Sequence, residues 1–347
     1  MTHAARLACL FLACAAAAPP VGGPQPEIRA KEMSRQVLLM GTRATLTTWD
    51  DDEARGRQRL ERLLGPLEAT EARLSTWRAD SEISRLNAAA GRGPQSLSAA
   101  TCRLFTTLDR WVRETAGAFD PAIGPLTAVW DIHGSGRIPS RQALASARAN
   151  AGWPRLSMSH GECMLRMPSG ASLDVGAFGK GEGLDAARAA MAGDAAPWRI
   201  DLGGQIAVSR APPGEIGTAL AHPRKRTTPW MYLALTEGSL STSGGSERDR
   251  RVRGTRVAHH LDPHTGMPAS FDGSVSVWHQ SALVADLLST ALYVMGPRVG
   301  LEWADAHAVA AVFAIPHRDG SVEGRASAAF AARFPSGSSI EKRRRAP

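Results

Sequence analysis

The sequence predicts an α+β fold organised as two lobes of one continuous domain, and three observations carry that reading. Apolar residues recur at helical spacing in several blocks, short apolar or alternating runs of strand length lie between them, and no repeat or long low-complexity linker divides the chain. With 347 residues, 43% hydrophobic and 21% charged, the chain is long enough for one large or two modest cores.

Gln36 to Thr48 alternates and turns at Met40-Gly41-Thr42, which predicts a strand pair or a strand entering a loop. Leu60, Leu63, Leu64, Leu67 and Leu74 follow helical spacing and predict an amphipathic helix that delivers Ser75-Thr76-Trp77 to its end. Ser98 is placed to cap a helix carrying Leu104, Phe105, Leu108, Trp111 and Val112, with Gly117 placed to end it before Phe119-Asp120-Pro121. Ile138 to Trp153 predicts a short helix, Gly161 to Val175 paired strands, and Leu184, Ala187 and Met191 a helix after Lys180. Ile200 to Val208 predicts a strand interrupted by Gly203-Gly204. Met231 to Thr236 and Ser274 to Trp278 read as strands, Ser281 to Met295 as a strongly apolar helix, and Val309 to Ile315 as a buried strand.

The formal net charge of +8 suggests an anionic partner, yet four of the cations, Lys342 to Arg345, sit at the extreme C-terminus beside the single acid Glu341. The rest are scattered, without the aromatic and basic interleaving of a single-strand groove, so a nucleic-acid partner is not expected. Residues 1–24 read as a signal peptide or lipoprotein leader: Ala4 to Ala18 is an alanine-rich apolar run after His3 and Arg6, and Pro19 and Pro20 follow. Phe11-Leu12-Ala13-Cys14 is similar to a bacterial lipoprotein cleavage box, with an atypical Phe in first place, which makes Cys14 a candidate lipid anchor; a start at Met33 would remove the leader. No later stretch reaches the roughly 18 to 20 apolar residues of a membrane span. Beyond the leader only Cys102 and Cys163 remain, with no Cys-x-x-Cys pair or zinc spacing; Cys102 is expected in the core, and export permits a disulfide between the two without requiring it.

Four segments carry candidate chemistry. Asp174-Val175-Gly176-Ala177-Phe178-Gly179-Lys180-Gly181 places a carboxylate and an ammonium six residues apart across small residues, either as close packing with a surface salt bridge or as a phosphate-binding lysine beside a ligand-accepting carboxylate. Asp286 and Thr290 stand four apart in the apolar helix, so their oxygens share a face. A buried carboxylate needs a partner; a hard cation such as Mg²⁺ suits it, and so would an arginine, with Thr290 bonded back to the carbonyl of residue 286. His259-His260-Leu261-Asp262-Pro263-His264-Thr265-Gly266 combines a turn signal with histidines suited to proton transfer. Gly117-Ala118-Phe119-Asp120-Pro121 is by itself only a turn signal.

Taken in order, Met40-Gly41-Thr42, Ser75-Thr76-Trp77, Ser81 to Asn87, Thr115 to Leu126, Trp130, Asp174 to Asp185, Leu202-Gly203-Gly204, Ser241-Thr242-Ser243-Gly244, His259 to Pro268 and Asp286 to Thr290 resemble the FAD:protein FMN transferases over about residues 33 to 325. This is the ApbE-type family, formerly called thiamine biosynthesis lipoproteins. The resemblance implies a two-lobed catalytic domain over residues 33–330 with the flavin nucleotide in the cleft between its lobes, and leaves 331–347 as a basic tail expected to lack fixed structure. It also implies an Mg²⁺-dependent enzyme that splits FAD at the pyrophosphate, attaches FMN to a Ser or Thr hydroxyl of a partner protein and releases AMP.

By resemblance, Met40, Trp77, Ala118, Phe119, Asp120, Asp174, Lys180, His259 and His260 line the FAD site. The same resemblance implies Mg²⁺ held by Asp286, Thr290 and the backbone oxygen of Ala177, and the charges of such a site assign catalysis to Lys180, which neutralises pyrophosphate oxygens, and to His259 as proton acceptor. The implied partner is an exported flavoprotein subunit of a respiratory redox complex, and the implied location is the periplasmic face of the bacterial inner membrane, lipid anchored or soluble. Ala116, Ala122 and Trp130-Asp131-Ile132-His133 depart from the family pattern on the isoalloxazine side of the site. Two other readings remain open on sequence: an Mg²⁺-dependent FAD pyrophosphatase, and a non-catalytic exported protein that binds or delivers FAD.

Overall fold

The computed structural model describes residues 30–210, 217–245, 249–335 and 338–339. The expected leader with Cys14 and the basic run Lys342 to Arg345 lie outside them. An eight-stranded sheet organises the chain. Its strands, Lys31–Leu39, Thr42–Asp50, Trp198–Leu202, Gln205–Val208, Gly238–Gly244, Ser274–His279, Ala310–Pro316 and Val322–Ala326, lie side by side in chain order. Every neighbouring pair is antiparallel.

Long excursions leave this meander and return to the adjacent position. The first runs from Asp51 to Pro197 and carries helices α1 (Glu53–Leu74), α2 (Glu82–Ala88), α3 (Ala99–Glu114), α4 (Gly124–Trp130), α5 (Arg141–Asn150) and α6 (Gly179–Ala190), with a small sheet of Pro94–Ser96, Met164–Arg166 and Ser157–Ser159. Later excursions hold a hairpin of Arg250–Val252 and Thr255–Val257, the long helix α7 (Ala282–Ala306), and α8 (Ala328–Arg333) after the last sheet strand.

Side chains alternate across the strands, and both faces are covered. Ala207, Ala311 and Phe313 face the clusters built with α1, α6 and α7, while Ile206, Val208, Ala310 and Val312 face a separate cluster with Phe330 and Phe334. The two expected lobes share a core, since one cluster contains Phe105, Leu108 and Trp153 of the first excursion together with Val275, Leu287 and Phe313. Serine caps fix several helix starts: the hydroxyls of Ser81, Ser98, Ser140, Ser281 and Ser327 each accept the backbone N–H three residues on.

The structure corrects several expectations. Gly203-Gly204 does not interrupt one strand but turns between two, with Leu202 opposite Gln205. Of Gly161 to Val175 only Met164–Arg166 is strand, and the helix expected from Ile138 begins at Arg141. The boundary expected at residue 330 falls inside α8, and the buried Phe334 belongs to the folded unit. Helix α7 runs past Met295 to Ala306, bent at Gly296, and is by length and composition the single described helix that could cross a membrane; it packs instead as a core helix, with Leu287, Leu288, Ala291 and Leu292 fully buried. Cys102 and Cys163 form a disulfide, which the sequence only permitted.

Candidate functional site at the junction of α6 and α7

Two helix starts meet at the centre of the site. Asp286, 3% exposed, lies in the second turn of α7. Its Oδ1 accepts from Lys180 Nζ at 3.0 Å and from Ser241 Oγ at 3.3 Å, and its Oδ2 accepts the Gly181 amide at 3.0 Å. The carboxylate therefore joins α6, α7 and the strand Gly238–Gly244. Gly181 permits the approach: a Cβ there would stand 2.5 Å from the carbonyl oxygen of Ala282 and 2.6 Å from Leu283 Cα, both main chain. Asp185, one turn further along α6, accepts the Ser281 hydroxyl and the amides of Ala282 (2.7 Å) and Leu283 (3.1 Å), satisfying the first N–H groups of α7.

Where the sequence offered an arginine as the alternative to a cation, the side chain that pairs with Asp286 is Lys180. Thr290 does donate to the Asp286 carbonyl, at 3.4 Å, but its oxygen lone pairs remain for a cation. By type a carboxylate, a hydroxyl and a main-chain carbonyl such as that of Ala177, two residues ahead of α6, are the hard oxygen donors that a cation such as Mg²⁺ takes. Among the described residues no three His, Cys, Asp or Glu side chains gather as a metal cluster. One carboxylate is a sparse set, of the kind that substrate phosphate oxygens and water complete.

Asp174 lies beside this junction. Its Oδ2 is 2.6 Å from His133 Nε2 and its Oδ1 accepts the Gly176 amide at 2.8 Å. Burial pushes this carboxyl up, but the hydrogen bond and charge of His133 and the Gly176 amide outweigh burial and hold it below the usual range. The His133 ring in turn meets Trp77 edge-on, centroids 5.9 Å apart, and Trp77 is 77% exposed. At the other edge Met40 donates its amide to Glu71 Oε1 at 2.6 Å, and its methyl group approaches Gly183 on α6.

The Phe-Asp-Pro loop is tied to the same segment, since the Asp174 amide donates to Pro121 O at 2.8 Å and the Gly124 amide to Ser172 O at 3.1 Å. Ala118 and Phe119 are core residues, Phe119 at 1% exposure packing edge-on against Phe178. Asp120 is buried and occupied by the amides of Trp153 (2.8 Å) and Ala122 (2.7 Å); burial pushes its carboxyl up against those bonds. The side chains of Ala118, Phe119 and Asp120 are thus engaged in building the loop itself.

The histidine loop packs against α4 and α7. Asp262 caps its own turn by accepting the His264 amide and the Thr265 hydroxyl, both at 2.9 Å, and Trp130 Nε1 donates to Gly266 O at 2.8 Å, fastening the loop to α4. His259 Nδ1 is 2.9 Å from Asp249 Oδ1; its ring lies 3.9 Å from that of His260, which in turn meets the ring of Tyr293, one turn beyond Thr290 on α7, at 4.5 Å and tilted by 42°.

Sequence reasoning did not pick out Asp249 at all, and it gave no role to Gly181, Asp185 or the buried Ser241 that donates to Asp286, although their segments were noted. Asp185 carried one signal, its i, i+4 spacing from Gly181, which puts both on the face of α6 that meets α7. Ser241 and Ser243 each pair with Ser289, at 3.2 and 2.9 Å, across the strand–helix interface. His133, noted only as a departure, is the partner of Asp174.

An antiparallel meander whose paired helix starts bring Lys180 against the buried Asp286 gives the chain a candidate site and sets its class. The chain belongs to the ApbE family, whose profile matches residues 40–313. It is 30% identical over 270 residues to the FAD:protein FMN transferase of Klebsiella pneumoniae, covering 74% of this chain and 77% of that protein. It is 28% identical over 299 residues to the enzyme of the same name from Treponema pallidum, covering 80% and 82%. The apo crystal structure of the Pseudomonas stutzeri flavinyl transferase ApbE superposes with a TM-score of 0.79 at 25% identity, covering 90% of this chain and all of that one.

Proposed function

We propose that this protein is an FAD:protein FMN transferase, which uses Mg²⁺ to move the FMN moiety of FAD onto a Ser or Thr hydroxyl of a partner flavoprotein and releases AMP. The observation that carries the reading is the contact between Lys180 and Asp286 where α6 meets α7, because it sets a phosphate-seeking ammonium beside the one carboxylate of an oxygen donor set. The names of the relatives support the reaction class.

Asp286, Thr290 and the Ala177 carbonyl would hold Mg²⁺, which when bound neutralises charge on pyrophosphate oxygens. Lys180 provides a second positive charge, which stabilises the negative charge that grows on the departing AMP. His259 takes the proton of the acceptor hydroxyl; that oxygen forms a bond to the FMN phosphorus, and the bridging P–O bond breaks so that AMP leaves with the bridging oxygen. Asp174, with His133 and Trp77, borders the nucleotide, and the main chain of residues 118–120 lines its other side. Orienting the hydroxyl against the phosphorus supplies much of the remaining acceleration.

The same proposal places the protein outside the cytoplasm, on the periplasmic face of the inner membrane, lipid anchored at Cys14 or soluble. The Cys102–Cys163 disulfide supports an oxidising compartment. The acceptor we propose is an exported flavoprotein subunit of a respiratory redox complex.

The test is incubation of the mature protein with FAD and Mg²⁺, with and without an acceptor domain, followed by intact mass and AMP determination. Gain of one FMN on the acceptor with equimolar AMP is expected. Free FMN and AMP without labelled acceptor would replace the proposal with a pyrophosphatase, and intact bound FAD with a carrier.

A further inference from the structure

We propose that Asp249 is a positioning residue that holds the His259 imidazole with its proton on Nδ1, so that Nε2 is the nitrogen presented to the acceptor hydroxyl. The inference rests on the transferase reading above and concerns a residue with no role assigned so far.

The geometry is specific. Asp249 Oδ1 is 3.0 Å from the His259 amide and 2.9 Å from its Nδ1, so one carboxylate oxygen holds both the main chain and the ring of the same histidine. An ionised carboxylate only accepts hydrogen bonds, which requires the proton on Nδ1. Asp249 is kept ionised: burial pushes its carboxyl up, but the two bonds from His259 and the charge of Arg256 outweigh burial and bring it below the usual range.

The carboxylate is itself held. Its Oδ2 accepts from Arg256 Nε at 2.7 Å, and Arg256 Nη2 reaches Phe271 O at 3.1 Å and the Tyr293 hydroxyl at 3.0 Å. Tyr293 donates to Phe271 O at 2.7 Å, and its phenol, pushed up to about 12 chiefly by burial, stays protonated. A Cβ on Gly245 would collide with Asp249 Oδ2, so the main chain packs directly onto the carboxylate. His260 covers one face of the His259 ring, whose side chain is 16% exposed. Between them these contacts fix the ring's position and its tautomer, which is what a base needs from the group behind it.

The chain brings the pair together by a local route. The hairpin Arg250–Val252 and Thr255–Val257 sets Arg250 opposite Val257, and the acid just before it and the histidine just after it meet at its open end. Arg256, inside the hairpin, turns back onto the same acid.

The experiment combines long-range ¹H–¹⁵N correlation on ¹⁵N-histidine protein with steady-state kinetics of the wild type, Asp249→Asn, His259→Gln and the double variant. Difference from His259→Gln assigns the His259 signals. The wild type is expected to show the Nδ1–H tautomer, and Asp249→Asn to lose it. Asp249→Asn should lower kcat by about 10²-fold with KM for FAD within about twofold, and should add no loss in the His259→Gln background. An Nε2–H tautomer of His259 in the wild type overturns the proposal whether or not Asp249→Asn folds. Losses that multiply in the double variant also overturn it, because Asp249 would then act independently of His259. Absence of FMN transfer by the wild type would remove the transferase reading, while the tautomer measurement still reports on the Asp249–His259 pair.

Discussion

Lys180 Nζ and Asp286 Oδ1 stand 3.0 Å apart across the α6–α7 junction, although 106 residues separate them in the chain. Each is therefore the immediate electrostatic partner of the other, and substitution of Asp286 affects both the expected metal site and the lysine. Asp286→Asn keeps the shape and should lower Mg²⁺-dependent FMN transfer by about 10²-fold or more. It should also cost about 1–3 kcal/mol of stability from weakened bonds to Lys180 and the Gly181 amide. FMN transfer assayed across an Mg²⁺ titration, with urea unfolding in parallel, checks both; transfer that keeps its wild-type Mg²⁺ dependence would remove Asp286 as a ligand.

Gly181→Ala tests the same junction without touching a charge. Its Cβ would press on the main chain of Ala282 and Leu283, which cannot rotate away, so the two helices must separate. A loss of about 1–3 kcal/mol is expected, together with a higher Mg²⁺ requirement as Asp286 moves off α6. Equal stability and equal Mg²⁺ dependence would show that the helix starts are not rigidly coupled.

Trp77 offers the opposite case, a large aromatic side chain in solvent that contributes little to the core. Trp77→Ala should leave the melting temperature within a degree or two of wild type. It should weaken FAD binding by about five- to tenfold, in line with about 1 kcal/mol or more for a lost stacking surface. Flavin fluorescence titration measures this, and unchanged affinity would take Trp77 out of the nucleotide site.

The disulfide predicts a stability cost on reduction. Cys102 and Cys163 are 61 residues apart in sequence, and release of a loop of that length corresponds to about 4 kcal/mol in the chain-entropy picture. Cys102→Ser and Cys163→Ser should each lower the melting temperature, and in the wild type neither thiol should alkylate before reduction. Rapid alkylation of unreduced protein would contradict the bond.

Asp50 gives a pH prediction with a definite sign. Its side chain is 5% exposed and pairs with Arg55 at 2.8 Å and with Arg59; the Arg55 hydrogen bond is the main cause that holds its carboxyl far below the ordinary range. The unfolded state then binds a proton more readily than the folded one, so the stabilisation is complete above the ordinary carboxylate range and fades as pH falls through and below it. Asp50→Asn should therefore be less stable than wild type at pH 7, with the gap narrowing towards pH 3. Thermal melts of both proteins across that range decide it.

Much of this architecture was legible in residue spacing. The turn at Met40-Gly41-Thr42, the leucine stripe of α1 and the capping Ser98 all stand where periodicity and cap chemistry put them. Those signals are local, and local signals survive into the fold. The junction of α6 and α7 was only half visible: Asp286 and Thr290 announced a shared face, but the lysine as partner depends on a long-range contact that no spacing encodes. His133 and Asp249 were illegible for the same reason, since a histidine in a loop and an acid before a hairpin gain meaning only from Asp174 and His259. Gly203-Gly204 was misread because a tight hairpin between two short apolar strands has the same pattern as one strand with a bulge.

The strand ending at Asp50 lies directly beside the one opening at Trp198, with Thr48 opposite Trp198, so the whole first excursion begins and ends at one place on the sheet. Lys180, Asp174 and Trp77 all emerge within that excursion, whereas His259, Asp286 and Thr290 arrive only with the last third of the chain. A nascent polypeptide that has emerged as far as residue 210 carries the lysine but neither Asp286, the proposed metal ligand, nor His259. Until α7 has been synthesised and docked, the growing chain has no complete centre with which to consume FAD.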